Sequence, residues 1–367
     1  MRNKKLLVLN YEFPPLGGGA SPVSFELAEE LSKNGFDIDV VTMGFRGLSE
    51  YEEINKNLRV HRVKCLRSKK EVCHPWEQST YLASGYKKCR ELIKKNEYKL
   101  CHCHFIIPTG LLALRLKKEF GLDYVVTSHG SDVLGYNPRF KLLYPILKGR
   151  WMEVLRNAIN VTTPSEYLKA QISGIYPEIG KKIVVVPNGI KEGKFTPLEK
   201  QKYILLVSRL TKNKGLQDFI EAIKDFDLGG WAVKIVGEGP YRTQLEKMVT
   251  AFGLEKEVTF LGWIDNKNNK LKELYGHAAI FVLPSHFENA NVTLLEALQS
   301  GCKVIASDVG GNPETIPTES LFRASSPSDL KEKLASLLAS PLHEKNIINK
   351  DSKHLWQNIS KDYEKLF

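Results

Sequence analysis

The stretch KKLLVLNYEFPPLGGGASPVSFELAEELSKNGFDIDVVTM, Lys4 to Met43, reads as strand, glycine-rich loop, helix, glycine turn and strand. Leu6 to Leu9 form the short apolar run of a parallel strand buried on both faces. Leu27, Ala28 and Leu31 give the helix an apolar stripe, and Gly35 is placed to cap its end. Outward from this unit, NLRVHRVKC, KLCHCHF, DYVVTSH and NVTTPS read as further strands with helical stretches between them. Such alternation predicts a parallel sheet with helices on both faces. The pattern restarts after VVVPNGIKEGKFTPLEKQKY, with YILLVSRL, WAVKIVGEG, EVTFLGW, AIFVLPS and CKVIASD as strands. The expectation is α/β throughout: two domains, 1–192 and 193–350, then an amphipathic helix within 351–367. Ligand sites are expected at the carboxyl ends of the strands, converging where two domains face each other across a cleft.

The bulk numbers agree with this. A chain of 367 residues is long for one core. It is 42% hydrophobic and 26% charged, with no run of about 18 apolar residues that would span a membrane. The apolar run after the basic start MRNKK is too short for a signal peptide core. Cys65, Cys73, Cys89, Cys101, Cys103 and Cys302 are scattered, which predicts reduced thiols in a cytosol. In LCHCHF, alternation puts Cys101 and Cys103 on one face and His102 and His104 on the other, as in a buried strand and unlike a zinc site. A net charge of +11 fits nucleic acid, an anionic membrane or anionic small substrates. The lysines are spread out and no basic motif interleaved with aromatics is present, so no nucleic acid is expected.

Several strand ends carry candidate chemistry. In PPLGGGAS, Gly18 and Gly19 allow close backbone approach, and the helix start behind them favours negative groups. Consecutive glycines do not fit the G-x-G-x-x-G of a dinucleotide site. Asp37 and Asp39 have the spacing of a metal–diphosphate motif, but in mid-strand they read as a satisfied pair. His129 and Asp132 follow the strand in VVTSHGSDV, and His104 ends another; a loop histidine with a capping aspartate is the ordinary alternative. In SRLTKNKG, Arg209 and Lys214 stand beside a helix start, an arrangement that suits a diphosphate, with solvated surface cations as the alternative. VGEGP repeats the strand-to-glycine turn at Gly237 and Gly239.

In HFENANVTLLEALQSGCKVIASDVGGNPE, seven residues separate Glu288 from Glu296. On one helix they would lie about 12 Å apart, whereas paired glycosidase carboxylates lie roughly 5–9.5 Å apart. The spacing suits the two ends of one long ligand, sugar hydroxyls at one end and ribose hydroxyls at the other. The helix start between them offers free N–H groups to phosphates.

Glu288, seven residues and Glu296, followed by ALQSGCKVIASDVGGNPE, resemble the signature of the retaining glycosyltransferases of family 4, which have the GT-B fold. HFIIPTG, VTSHGSDV, PNGI, SRLTKNKG, VGEGP, FLGW and ASDVGGNPE are similar to that family in kind and order, over nearly the whole chain. Trp356 resembles the tail helix that crosses back to the first domain. The resemblance implies a role for each candidate. Arg209 and Lys214 would bind the donor diphosphate, Glu288 the donor sugar and Glu296 the ribose, with Gly237, Asn289, Ala290, Asn291 and Val292 around them. Gly18 and Gly19 would approach phosphate or sugar, His129 would serve the transferred sugar, and His104 and Asp132 would lie on the acceptor side. No metal and no cofactor is expected. Two departures stand out: Asn289-Ala290-Asn291 replaces a Gly/Pro–Phe–Gly type of turn, and Cys302-Lys303 replaces a common Thr-Pro. The asparagines could contact the donor or cap the helix.

The function expected is metal-independent, retaining transfer of a hexosyl unit from a UDP- or GDP-sugar to a saccharide or lipid-linked acceptor, in cell-surface polysaccharide or lipopolysaccharide assembly. The expected location is cytoplasmic or peripheral on the inner face of the cell membrane. RFKLLYPILKGRWMEVLRNA, with Leu142, Leu143, Ile146 and Trp151 among Lys141, Lys148 and Arg150, is the candidate membrane face, or else a helix packed on its own domain. The alternatives are an epimerase or phosphorylase of the same architecture, or a non-catalytic nucleotide-sugar-binding protein.

Overall fold

The computed structural model describes residues 4–133, 144–265, 268–342 and 352–367. The chain divides into two compact units, Met1–Asn188 with Trp356–Phe367, and Gly189–Leu355. The division by contacts falls after Asn188, and Ile190 is bridged to Leu355 within the second unit.

In the first unit the elements run β1 (Lys5–Leu9), α1 (Ala20–Lys33), β2 (Asp37–Met43), β3 (Tyr51–Asn55), β4 (Leu58–Val63), α2 (Pro75–Lys95), β5 (Leu100–His104) and α3 (Thr109–Phe120). They continue as β6 (Tyr124–Thr127), α4 (Tyr144–Asn157), β7 (Asn160–Thr163), α5 (Glu166–Ile175) and β8 (Ile183–Val185). Among the described residues the strands form one sheet in the order β3-β4-β2-β1-β5-β6-β7-β8. All are parallel except β3, which pairs antiparallel with β4 at the edge. β1 is central: Leu6 is in register with Ile38 on one side and Leu100 on the other. Leu6 to Leu9 are all buried, so both faces of the strand are covered, as the apolar run demands. The helix stripe is real, since Leu27, Ala28 and Leu31 are all buried. Gly35 follows at φ +87° while Phe36 N–H reaches back to the Leu31 carbonyl, the bond that closes the helix end.

In the second unit the elements are β9 (Gln201–Val207), α6 (Leu216–Ile223), β10 (Ala232–Val236), α7 (Arg242–Ala251), β11 (Val258–Gly262), α8 (Asn269–His277) and β12 (Ala278–Leu283). Then come α9 (Val292–Gln299), β13 (Lys303–Ser307), β14 (Leu321–Phe322) and α10 (Pro327–Leu338). The sheet order is β11-β10-β9-β12-β13-β14, all parallel.

α11 (Trp356–Leu366) returns to the first unit. Trp356, Ile359 and Tyr363 are buried at helical spacing. The Trp356 indole donates to Glu26 Oε2 of α1 at 2.6 Å, and Asn34 donates to Ser360 and Glu364. Cys101 and Cys103 face the core that holds Tyr81 and Leu112. His102 faces the opposite way, its ring 5.4 Å from Tyr363 and 5.2 Å from Phe367. Among the described residues no helix is long and apolar enough to cross a membrane.

Candidate functional site

In the second unit, β10, β9, β12 and β13 are consecutive neighbours in the sheet, and the loops at their carboxyl ends touch. Gly215 has φ +67°, and a Cβ there would lie 1.7 Å from the Pro284 carbonyl oxygen. Only glycine permits that approach. The contact lays the loop after β9 on the loop after β12, where His286 N–H also donates to the Asn213 carbonyl. Gly237, at φ +138°, comes as close to the Ser208 carbonyl, beside Arg209. Gly310, after β13, lies against the Glu288 backbone in the same way.

Two side-chain pairs lock these loops together. Lys214 Nζ donates to Glu288 Oε1 at 2.5 Å, with side chains 18% and 9% exposed. His286 Nε2 is 2.5 Å from Asp218 Oδ2. Arg209 is exposed and has no carboxylate partner among the described residues. The loop after β9 thus carries a cation open to solvent, Arg209, and further on a second cation, Lys214, held by a carboxylate. Asn291 caps α9, its Oδ1 accepting from Thr293 N–H at 2.9 Å, and Val292 is the first helical residue. Asn289 and Ala290 form the turn ahead of it. Glu288 lies before α9 and Glu296 within it, so they are not on one helix. Glu296 is buried, with the Tyr275 hydroxyl donating to it at 2.8 Å. Cys302 and Lys303 are absorbed quietly: the thiol donates to the Tyr275 carbonyl, and the ammonium meets Ser340.

In the first unit, nothing lies within 4 Å of where a Cβ would stand on Gly18 or Gly19, so their backbone is open to approach. The loop is shaped from beneath. Gly17 N–H donates to the Lys70 carbonyl at 2.8 Å, and Gly18 N–H donates to Glu12 at 3.3 Å. Asp37 and Asp39 are a satisfied strand pair: Lys5 and Arg59 meet Asp37, and Arg59, His61 and Tyr98 meet Asp39. Burial opposes ionisation of Asp39, but the hydrogen bonds from His61, Arg59 and Tyr98 outweigh it and hold the carboxyl well below its usual range.

His104 and His129 come together at the ends of β5 and β6, with His104 Nδ1 3.1 Å from His129 Nε2. Burial pushes His129 down to about 4 and His104 well below its ordinary value. The Asp132 carboxylate is held by four hydrogen bonds. One oxygen accepts from Ile106 N–H at 2.7 Å, and the other accepts from Ser128, His129 N–H and Gly130 N–H. It pins two loops together from within. Trp151 is likewise unavailable to a membrane: it is fully buried, and its indole donates to the Asp132 carbonyl at 2.9 Å. Lys141, Leu142 and Leu143 lie outside the described residues, as does the Ile146 side chain.

Sequence reasoning missed Glu12, Asp218, His286 and Tyr275. Asp218, in the first helical turn after Gly215, and His286, just past β12, carried a positional signal. Tyr275 carried none, since its partner Glu296 is remote in sequence, and Glu12 carried none because its bond is to a backbone N–H, that of Gly18.

Residues 190–354 match the family Glycosyl transferases group 1, and residues 17–193 match Glycosyltransferase Family 4. An uncharacterized glycosyltransferase of Methanocaldococcus jannaschii is 30% identical over 343 residues, covering 86% of this chain and 83% of that one. Sucrose-phosphate synthase from Thermosynechococcus elongatus superposes with a TM-score of 0.83 at 22% identity, covering 99% of this chain and 98% of that one. Anabaena HepE, solved with UDP and glucose, superposes at 0.76 with 15% identity, covering 99% of each chain.

Proposed function

The chain belongs to the group 1 glycosyltransferases and has their GT-B fold, and from that premise we propose hexosyl transfer from a UDP- or GDP-hexose to a saccharide or lipid-linked acceptor, with retention and without a metal ion. The observation that carries this reading is the Lys214–Glu288 pair on a loop that also carries exposed Arg209. Cations for phosphates and carboxylates for hydroxyls are what a nucleotide diphosphate sugar requires.

In this reading Arg209 and Lys214 bind the diphosphate and offset the charge that develops on it as it leaves. These two cations and the α9 start would supply the charge that a metal ion supplies elsewhere. Glu288 accepts from donor sugar hydroxyls and Glu296 from the ribose. Gly237 keeps the loop beside Arg209 in place, and the backbone of Asn289, Ala290, Asn291 and Val292 faces the phosphates. Gly18 and Gly19 offer bare backbone to phosphate or sugar, and His129 serves the transferred sugar. The bond from the anomeric carbon to the phosphate oxygen breaks, a bond to the acceptor oxygen forms on the same face, and the leaving diphosphate takes the acceptor proton. A lipid-linked acceptor, an anionic membrane contact and a place in cell-surface polysaccharide assembly belong to the same reading. Flotation with anionic vesicles at low salt tests the membrane part; no binding counts against it.

A thermal-shift panel of UDP, GDP, ADP and their common sugars, run with EDTA, tests the donor site. A ligand at 100 times its dissociation constant adds about 2.7 kcal/mol of stability. A shift confined to one nucleotide class is expected; no shift with any would overturn the metal-free donor site.

A further inference from the structure

Three histidines and a tyrosine form a row through the first unit. β5 and β6 are neighbours, with His104 in register with Thr127, so the loops that follow them lie side by side. There the His104 and His129 rings are nearly parallel, 15° apart, with 3.1 Å between His104 Nδ1 and His129 Nε2. The His102 ring lies 4.4 Å from that of His104. His102 Nε2 is 2.8 Å from Thr127 Oγ1, which in turn is 2.6 Å from Thr162 Oγ1 and 3.3 Å from the Tyr363 hydroxyl of α11.

His102 and His104 are each 1% exposed, a place where an aliphatic side chain would need no polar partner. Burial keeps all three rings neutral. A neutral imidazole has one donor and one acceptor nitrogen. The His104–His129 bond therefore couples the two tautomers, since one ring must donate and the other accept, and it also fixes the ring plane.

We propose that His104 is a positioning residue for His129, holding its tautomer and ring plane, and that Tyr363 anchors the far end of the row through Thr127 and His102. This rests on the reading that His129 serves the transferred sugar. A misplacement of about 1 Å in a reacting group costs about 100-fold in rate.

The test has a kinetic and a spectroscopic arm, both on the full chain. Nucleotide release is measured from UDP-glucose, or from GDP-mannose where UDP-glucose is not turned over. His104→Leu is expected to lower kcat about 10–100-fold, with KM for the donor within about 2-fold. His104→Asn, whose amide stands where Nδ1 stood, is expected to recover most of the loss. Long-range 1H–15N correlation is expected to find His129 as one tautomer in the wild type and in His104→Asn, and as a mixture in His104→Leu. Tyr363→Phe removes one hydroxyl and no bulk, so it reads the row even where His104→Leu fails to fold; partial mixing is expected. An unchanged His129 tautomer in these variants overturns the proposal. So does an unchanged kcat in His104→Leu when His129→Ala loses turnover. If His129→Ala keeps full turnover, the reading of His129 fails instead, and the tautomer still decides the contact.

Discussion

Lys214 Nζ lies 2.5 Å from Glu288 Oε1, joining the loop after β9 to the loop after β12 in a pair that is mostly covered from solvent. Removing one partner leaves the other buried and uncompensated. Loss of one charge-assisted contact, roughly 1.5–3 kcal/mol, predicts about a 10–150-fold fall in donor turnover for Lys214→Ala. Steady-state nucleotide release checks it, and unchanged turnover removes Lys214 from the mechanism.

Gly215→Ala and Gly18→Ala should part company. The first would drive a Cβ to 1.7 Å from a carbonyl oxygen in a backbone conformation that side chains rarely adopt. It should lower the melting temperature and abolish the donor-induced shift. The second enters open space. It should leave the melting temperature near that of the wild type and lower turnover through the lost backbone approach alone.

Three buried neutral histidines make stability depend on pH. Burial takes His102 down to about 3, His129 to about 4 and His104 well below its ordinary value. Unfolded histidine titrates near about 6.5, so on acidification the unfolded chain takes up protons that the folded chain refuses. Stability should therefore fall as pH drops from about 6.5 towards 4, by up to about 1.4 kcal/mol per pH unit for each group. Asp39, depressed in the fold, adds to the loss further into acid. Urea midpoints across this range check the slope, and a flat profile would contradict the neutral row.

Asp132→Asn should behave as a structural lesion. The carboxylate accepts from Ile106, Ser128, His129 and Gly130, and an amide would turn two hydrogens towards donors. A destabilisation of about 1.5–3 kcal/mol is expected by urea titration.

The sequence carried most of the strands and helices because parallel strands buried on both faces leave apolar runs, as in Leu6–Leu9 and Ala278–Leu283. β3 escaped because Tyr51–Asn55 is a largely exposed edge strand with no apolar pattern. The strand-end places of Arg209, Lys214 and Glu288 were legible because the apolar runs of β9 and β12 stop just before them, and the helical place of Glu296 because it sits in the apolar run VTLLEALQ. The bracing by Asp132 was not legible in detail because its four donors are supplied by the fold: three are backbone N–H groups, which no residue type announces. Asn291 shows the same limit. Its sequence allowed a donor contact or a cap, and only the Thr293 N–H at 2.9 Å chose the cap.

α11 belongs to the first unit, yet the whole second unit is threaded between them along the chain. Synthesis runs in one direction, and domains generally fold as they emerge. Here the face of α1 that receives Trp356 stays bare while residues 189–355 are made. The unit translated first is thus completed last. A nascent chain arrested after residue 340 should present that uncovered face to chaperones, and a protease cut in the connection at 189 should leave two pieces that remain tied by α11.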